Sequence, residues 1–184
     1  MKKLLLILFI FFGLISSTYA ISRDEALKAY NSKDYQTAFK GYLTLAKNGD
    51  LSAQEWVGYL FERGEGVTKD YKQAFDWYLK AANQGSAYGQ GNLGEAYESG
   101  QGVDQDYKQA FDWFQKAANQ GNTIAEVNLG EAYQSGKGVK QDYKQALVWF
   151  RKAANQGDVY AQEWMGYMYE EGKGVDQDYK QAFD

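Results

Sequence analysis

Residues 106 to 121 read DYKQAFDWFQKAANQG. Nearly the same words stand at 70 (DYKQAFDWYLKAANQG) and at 142 (DYKQALVWFRKAANQG), and their opening, DYKQAFD, returns at 178. In the copy at 70, Tyr71, Ala74, Phe75, Tyr78, Ala81 and Ala82 fall three and four residues apart. That is the spacing of one helix face, and strand alternation does not fit it. Asp70 precedes the run and Gln73 follows three residues on, a capping-box pair in which each side chain reaches a free backbone amide at the helix start. Asp106/Gln109, Asp142/Gln145 and Asp178/Gln181 repeat the pair. Lys80 lies in the last turn, where a cation suits the helix dipole, and Gly85 suits the left-handed residue that ends a helix. KAANQG is therefore a stop signal.

Working outward, the echoes align with a period of 36 residues: 51–86, 87–122, 123–158 and an incomplete unit, 159–184. Periods of this size belong to helical-hairpin arrays. The first half of unit one carries Ala53, Val57, Gly58, Leu60 and Phe61 and is separated from the second by Gly64-Glu65-Gly66-Val67. Gly94, Gly130 and Gly166 repeat the mid-helix glycine, which costs about 1 kcal/mol relative to alanine, so a close approach by a neighbouring helix is expected there. Ala74 and its equivalents are the expected small partner surface. One such hairpin, with half its apolar face wet, does not recover its ordering entropy, so each unit must cover the one before. Trp77, Trp113 and Trp149 are expected to serve that packing rather than to form a binding ladder.

A unit with Leu93-Gly94, Tyr97, Gly100-Gln101-Gly102-Val103, Asp106, Ala110, Trp113 and Lys116-Ala117-Ala118 resembles the Sel-1-like repeats, relatives of the tetratricopeptide repeats, and the likeness covers residues 51 to 184. Val57 and Met165 depart mildly from its leucine. The resemblance implies an all-α fold, a right-handed α-solenoid of stacked antiparallel helix hairpins used as an interaction platform. Residues 21–50 resemble an opening hairpin, with Ser22 and Glu25 as a further capping box. At the other end Asp184 aligns with Asp76 and Asp112, so an uncapped outer face is expected on the incomplete unit.

The resemblance further implies that the first helices line the concave side. Their second face offers Glu55, Glu62, Glu95, Glu98, Glu131, Glu163, Glu170 and Glu171 against one base, Arg63, accompanied by Trp56, Tyr59, Tyr88, Tyr160, Trp164 and Tyr167. Asn92 and Asn128 fall where an asparagine ladder in some relatives holds a peptide backbone. An acidic, tyrosine-edged groove of this kind favours a basic protein or extended peptide, whereas a plain reading of the charges is a solvated helix face. Units one and four share AQEW while two and three share NLGEAY. That variation fits a surface that reads a partner, and equally a duplicated block.

Composition sets the outer limits. The 184 residues are 45% hydrophobic and 24% charged, an ordinary globular balance, with no Cys, His or Pro. Residues 1–20 read as a signal peptide, with Lys2 and Lys3 ahead of an apolar run from Leu4 to Ile15 too short to span a membrane and a Thr18-Tyr19-Ala20 cleavage pattern. Its removal shifts the formal charge from −4 to −6 and leaves no stable membrane anchor, so nucleic acid is a poor partner. The export route leads to the periplasm or outside a bacterial cell, where no disulfide is available to hold this chain. Without His or Cys the usual nucleophile–base pairs and most zinc sites are missing, so neither catalysis nor a cofactor is expected. The β-lactamase label carried by some cysteine-rich members is not supported, since no Ser-x-x-Lys occurs. The expected function is an exported scaffold; the alternatives are a secreted or surface factor engaging a host protein, or a cell-wall hydrolase.

Overall fold

The computed structural model describes residues 21–178, 180 and 182. The expected signal segment, and Gln181, Phe183 and Asp184 of the incomplete unit, lie outside the described residues. Among the described residues there are nine helices and no strand: α1 (Arg23–Asn31), α2 (Tyr35–Lys47), α3 (Leu51–Arg63), α4 (Tyr71–Asn83), α5 (Ala87–Ser99), α6 (Tyr107–Ala118), α7 (Thr123–Ser135), α8 (Tyr143–Asn155) and α9 (Val159–Glu171). Each helix packs on the next in sequence, and α5 also touches α7 across a unit boundary. This is an all-α solenoid of stacked hairpins.

The helix ends follow the chemistry of the repeated words. Asp70 accepts from the Gln73 amide at 3.0 Å, and Asp106 and Asp142 each accept from two amides of their first turn. The reciprocal half of the box is a correction to the sequence reading. Among the described residues both bonds close only at Ser22 and Glu25. The KAANQG stop holds, with Gly85 at φ +92° just past the end of α4.

The mid-helix glycines admit a neighbouring helix, but the expected partner was misplaced. A Cβ at Gly58 would stand 2.6 Å from the Tyr78 ring, one at Gly94 2.4 Å from Phe114, and one at Gly130 2.6 Å from Phe150. The group seated on these three glycines is thus an aromatic ring, four residues beyond Ala74 and its equivalents on the same helix face, whereas Gly166 faces Ala182, the equivalent of Ala74, through its carbonyl oxygen at 2.9 Å. Ala74 is instead buried in the cluster around Leu93, on the side facing the next unit.

Loop glycines join the units through backbone. A Cβ at Gly102, where φ is +77°, would meet the Tyr71 carbonyl oxygen at 2.2 Å, and Gly66 and Gly138 sit in the same way on Tyr35 and Tyr107. Each loop therefore rests on the start of the second helix one unit earlier. The buried side chains straddle the same boundaries: Ala117 and Phe114 of α6 and Leu129 of α7 share a cluster with Trp149 of α8. Trp77 and Trp149 are buried and Trp113 half-buried, each roofed by a lysine three residues on, at 3.6 Å for Lys80 and Lys116 and 3.7 Å for Lys152. The lysine of KAANQG thus covers an indole face as well as the helix end.

A polar ladder threads the boundaries and escaped the sequence reading. The Gln84 side-chain amide donates to Gln54, Gln120 to Gln90 and Gln156 to Glu126, each at 2.8 Å. Gln54 and Gln90 in turn donate to the carbonyls of Ala46 and Ala82.

Candidate interaction face

The first helices α3, α5, α7 and α9 present one residue of the candidate site per turn, and stacking brings those of units one to three into adjoining pockets. The first pocket, of about 270 Å³, is lined by Glu55, Trp56 and Tyr59 of α3 with Tyr88 of α5. The second, of about 320 Å³, gathers Glu62, Asn92, Glu95 and Glu98 against Tyr71, Phe75 and Tyr78. The third, of about 210 Å³, joins Asn92 and Glu95 to Tyr88 and Ile124.

The carboxylates differ in how they are held. Glu55 accepts from the Ser86 hydroxyl, Glu62 from the Tyr78 hydroxyl at 2.7 Å and Glu131 from the Tyr160 hydroxyl. Tyr78 lies in the second helix of the same unit, Ser86 caps the first helix of the next and Tyr160 lies within that of unit four, so hairpin pairing fixes Glu62 and stacking fixes Glu55 and Glu131. At the positions of Tyr78 in units two and three stand Phe114 and Phe150, and at the position of Tyr88 in unit three stands Ile124, which have no hydroxyl to offer. Among the described residues the carboxylates of Glu95 and Glu98 accordingly have no side-chain donor, and Ser99 and Gln105 donate only to their backbone carbonyls.

Burial, then the charges of Glu62 and Glu98, push the Glu95 carboxyl above its ordinary range. Glu98 is also raised by burial, with Lys137 pulling it down and Glu131 pushing it up. Glu95 keeps more than a third of its surface in solvent, so water screens part of this effect. Burial together with Tyr88 and Glu62 drives the Tyr78 phenol upward, which keeps it a donor.

The remaining predicted residues are placed as follows. Asn92 donates to the Tyr88 carbonyl of its own helix at 2.8 Å, so its amide is partly committed, and Asn128 is half-buried at the equivalent position. Glu163 and Glu170 are exposed on α9, and the Tyr167 hydroxyl is bound by Lys173. Tyr59 meets the Tyr30 hydroxyl at 3.4 Å. Sequence reasoning missed Ser86 and Tyr78 as holders of Glu55 and Glu62, and Ile124, which is 59% exposed in register with Tyr88 and Tyr160. The Tyr-to-Phe change between units was the available signal for the second of these.

The comparisons with known proteins agree with this architecture. The Sel1 repeat model matches residues 51–86, 87–122, 123–158 and 159–184. A protective antigen of uropathogenic Escherichia coli strains with the same repeat fold is 35% identical over 88% of this chain and 37% of its own, with a TM-score of 0.84. A Sel1 repeat protein from Oxalobacter formigenes is 37% identical over 88% of this chain and 66% of its own, with a TM-score of 0.83. Cysteine-rich protein B of Helicobacter pylori shares the fold at 23% identity and a TM-score of 0.53, over 76% of this chain and 93% of its own. This chain thus spans about a third and two-thirds of the lengths of the first two. Among curated proteins none matches. Three consecutive 36-residue hairpins, stacked through glycine-seated rings, and a partial fourth unit, all matched by the family model from residue 51 onward, make this chain a member of the Sel1 repeat family.

Proposed function

We propose that this chain is an exported, non-catalytic scaffold that holds a basic protein or extended peptide along the acidic face of its first helices. Sel1 repeats generally serve as scaffolds for protein interactions. The observation that carries the finer reading is the pair Glu95 and Glu98, two carboxylates held beside Glu62 and Glu131 without a donor side chain of their own. Leaving such groups partly desolvated costs free energy, which a partner's cations recover. The direct contact of α5 with α7 supports placing this face on the inner side of the curve. Export is supported by the basic start, apolar run and small-residue pattern of residues 1–20, and no helix among the described residues is long and apolar enough to cross a membrane. A secreted or surface factor engaging a host protein is a second reading, supported by the description of the E. coli neighbour as a protective antigen.

The test is affinity capture from a bacterial envelope extract by the parent and by a twin carrying Glu95→Lys and Glu98→Lys, with matching circular dichroism. A basic protein retained by the parent and lost by the twin is expected. Identical capture by both would remove the acidic face from the mechanism.

A further inference from the structure

The AQEW words of unit one build something that the middle units lack. Glu55, Trp56 and Tyr59, joined by Tyr88 from unit two, line a pocket of three aromatic rings and one carboxylate. The rings stand at steep angles, with Tyr59 edge-on to Trp56 at 84° and a centroid separation of 5.7 Å. Trp56 is fixed from behind by stacking on the fully buried Tyr42 at 5.1 Å and 5°, and Tyr88 by an edge contact with Tyr78. Ser86 orients the Glu55 carboxylate. In units two and three the tryptophan register holds Asn92 and Asn128 and the tyrosine register Glu95 and Glu131, so no such cage forms there.

Unit four repeats the residues as Glu163, Trp164 and Tyr167, with the same edge-on pair at 5.5 Å and 85°. There the chain supplies its own cation. Lys173 Nζ lies 4.6 Å from the centre of the Tyr167 ring and also bonds its hydroxyl. Three repeats earlier, the residue in the place of Lys173 is Glu65. Among the described residues no lysine or arginine stands over Trp56, Tyr59 or Tyr88. Unit one thus keeps the cation-attracting rings and omits the internal cation.

We infer that the pocket of Glu55, Trp56, Tyr59 and Tyr88 binds an external quaternary ammonium head group of the choline type. Aromatic faces attract such a cation through their quadrupoles, and its methyl groups fill an apolar enclosure that a strongly hydrated primary ammonium enters reluctantly. Glu55 supplies the countercharge. At about 270 Å³ the pocket falls just below the roughly 300–1,000 Å³ of sites enclosing a whole drug-sized ligand, which suits a head group. The inference stands on these rings and Glu55 and uses neither Glu95 nor Glu98, so it holds or fails independently of the protein partner proposed for the groove.

The experiment is calorimetric titration of the full chain with choline chloride and with 3,3-dimethylbutan-1-ol, its uncharged isostere. Choline is expected to bind at least about tenfold more tightly than the alcohol, and Tyr88→Ala or Glu55→Gln to weaken choline by about fivefold or more. Tyr88 is exposed and Glu55 half-buried, and circular dichroism with thermal unfolding confirms that each variant folds. Flotation with phosphatidylcholine and with phosphatidylglycerol vesicles identifies the source. Retention on phosphatidylcholine alone assigns a lipid head group, and choline binding without retention on either assigns a free solute. Equal affinity for choline and the alcohol, choline binding unchanged in both folded variants, or no binding of choline overturns the inference.

Discussion

Glu126 occupies the register held by Gln54, Gln90 and Gln162, and it is 4% exposed. Its neighbours each donate to an alanine carbonyl one unit back, whereas a carboxylate only accepts. Glu126 keeps the bond from Gln156, which is itself steadied by Thr123, but as a carboxylate it cannot make the second. Glu126→Gln is therefore predicted to stabilise the chain by about 1 kcal/mol at neutral pH, measured by urea unfolding. A midpoint that falls would mean that the carboxylate has partners an amide cannot match. Glu95 and Glu98 yield a pH prediction of definite sign. Because their carboxyls are raised in the fold, the unfolded chain ionises them more readily, and stability is lost as pH rises through the folded values. Glu95→Gln with Glu98→Gln should exceed the parent in urea midpoint at pH 7, and the gap should close near pH 3.5, below the ordinary glutamate value of about 4.3. The gain should be small and should shrink in high salt, since Glu95 is exposed. A gap of equal size at both pH values would assign the gain to something other than charge.

The glycines rank the element contacts. Gly121 has φ +82° and open space around it, so Gly121→Ala meets only the left-handed penalty of about 1–2 kcal/mol. Gly130→Ala places a Cβ 2.6 Å from the ring of Phe150, which is fully buried and has nowhere to retreat; overpacking of about 1–3 kcal/mol offsets the gain in helix propensity. Gly138→Ala combines φ +71° with a backbone oxygen 2.0 Å away, which no side-chain rotation relieves. Thermal unfolding should therefore show Gly138→Ala as the most damaging of the three, and Gly121→Ala costing as much as Gly138→Ala would deny that loops lock units together. These contacts mark where the sequence stops being readable. Helices, caps and the 36-residue period lie in spacings of three, four and seven within one segment, so they were legible. The ring on Gly58, Gly94 and Gly130 was not, because Ala74 and Tyr78 share one face and periodicity cannot say which crosses the gap. The same limit hid Ser86 behind Glu55, 31 residues apart and joined only once units stack. The candidate acids were legible as a stripe. Their division into held and unheld groups required the neighbouring unit.

At the scale of the whole molecule, contact runs along the chain and almost nowhere else. Each helix touches its sequence neighbours, α5 touches α7, and every buried cluster draws on adjacent hairpins. Such a chain has no single centre whose loss brings down all parts at once, and its stability is approximately a sum of unit and boundary contributions. A cavity should then act locally. Leu129 is fully buried in α7 between Ala117 and Trp149, and Leu129→Ala removes about 2–5 kcal/mol of packing from the boundaries on either side. Hydrogen exchange of the variant under native conditions should show lost protection in α6, α7 and α8. Protection should remain near parental in α2 and α3, whose cluster around Tyr42, Val57 and Leu60 shares no residue with that of Leu129. The aromatic pocket of unit one rests on that same distant cluster through Tyr42 and Trp56, so choline binding should survive the substitution even where the centre of the solenoid opens. Uniform loss of protection from α2 to α9 would instead show that the boundaries couple strongly enough for the solenoid to unfold as one cooperative body.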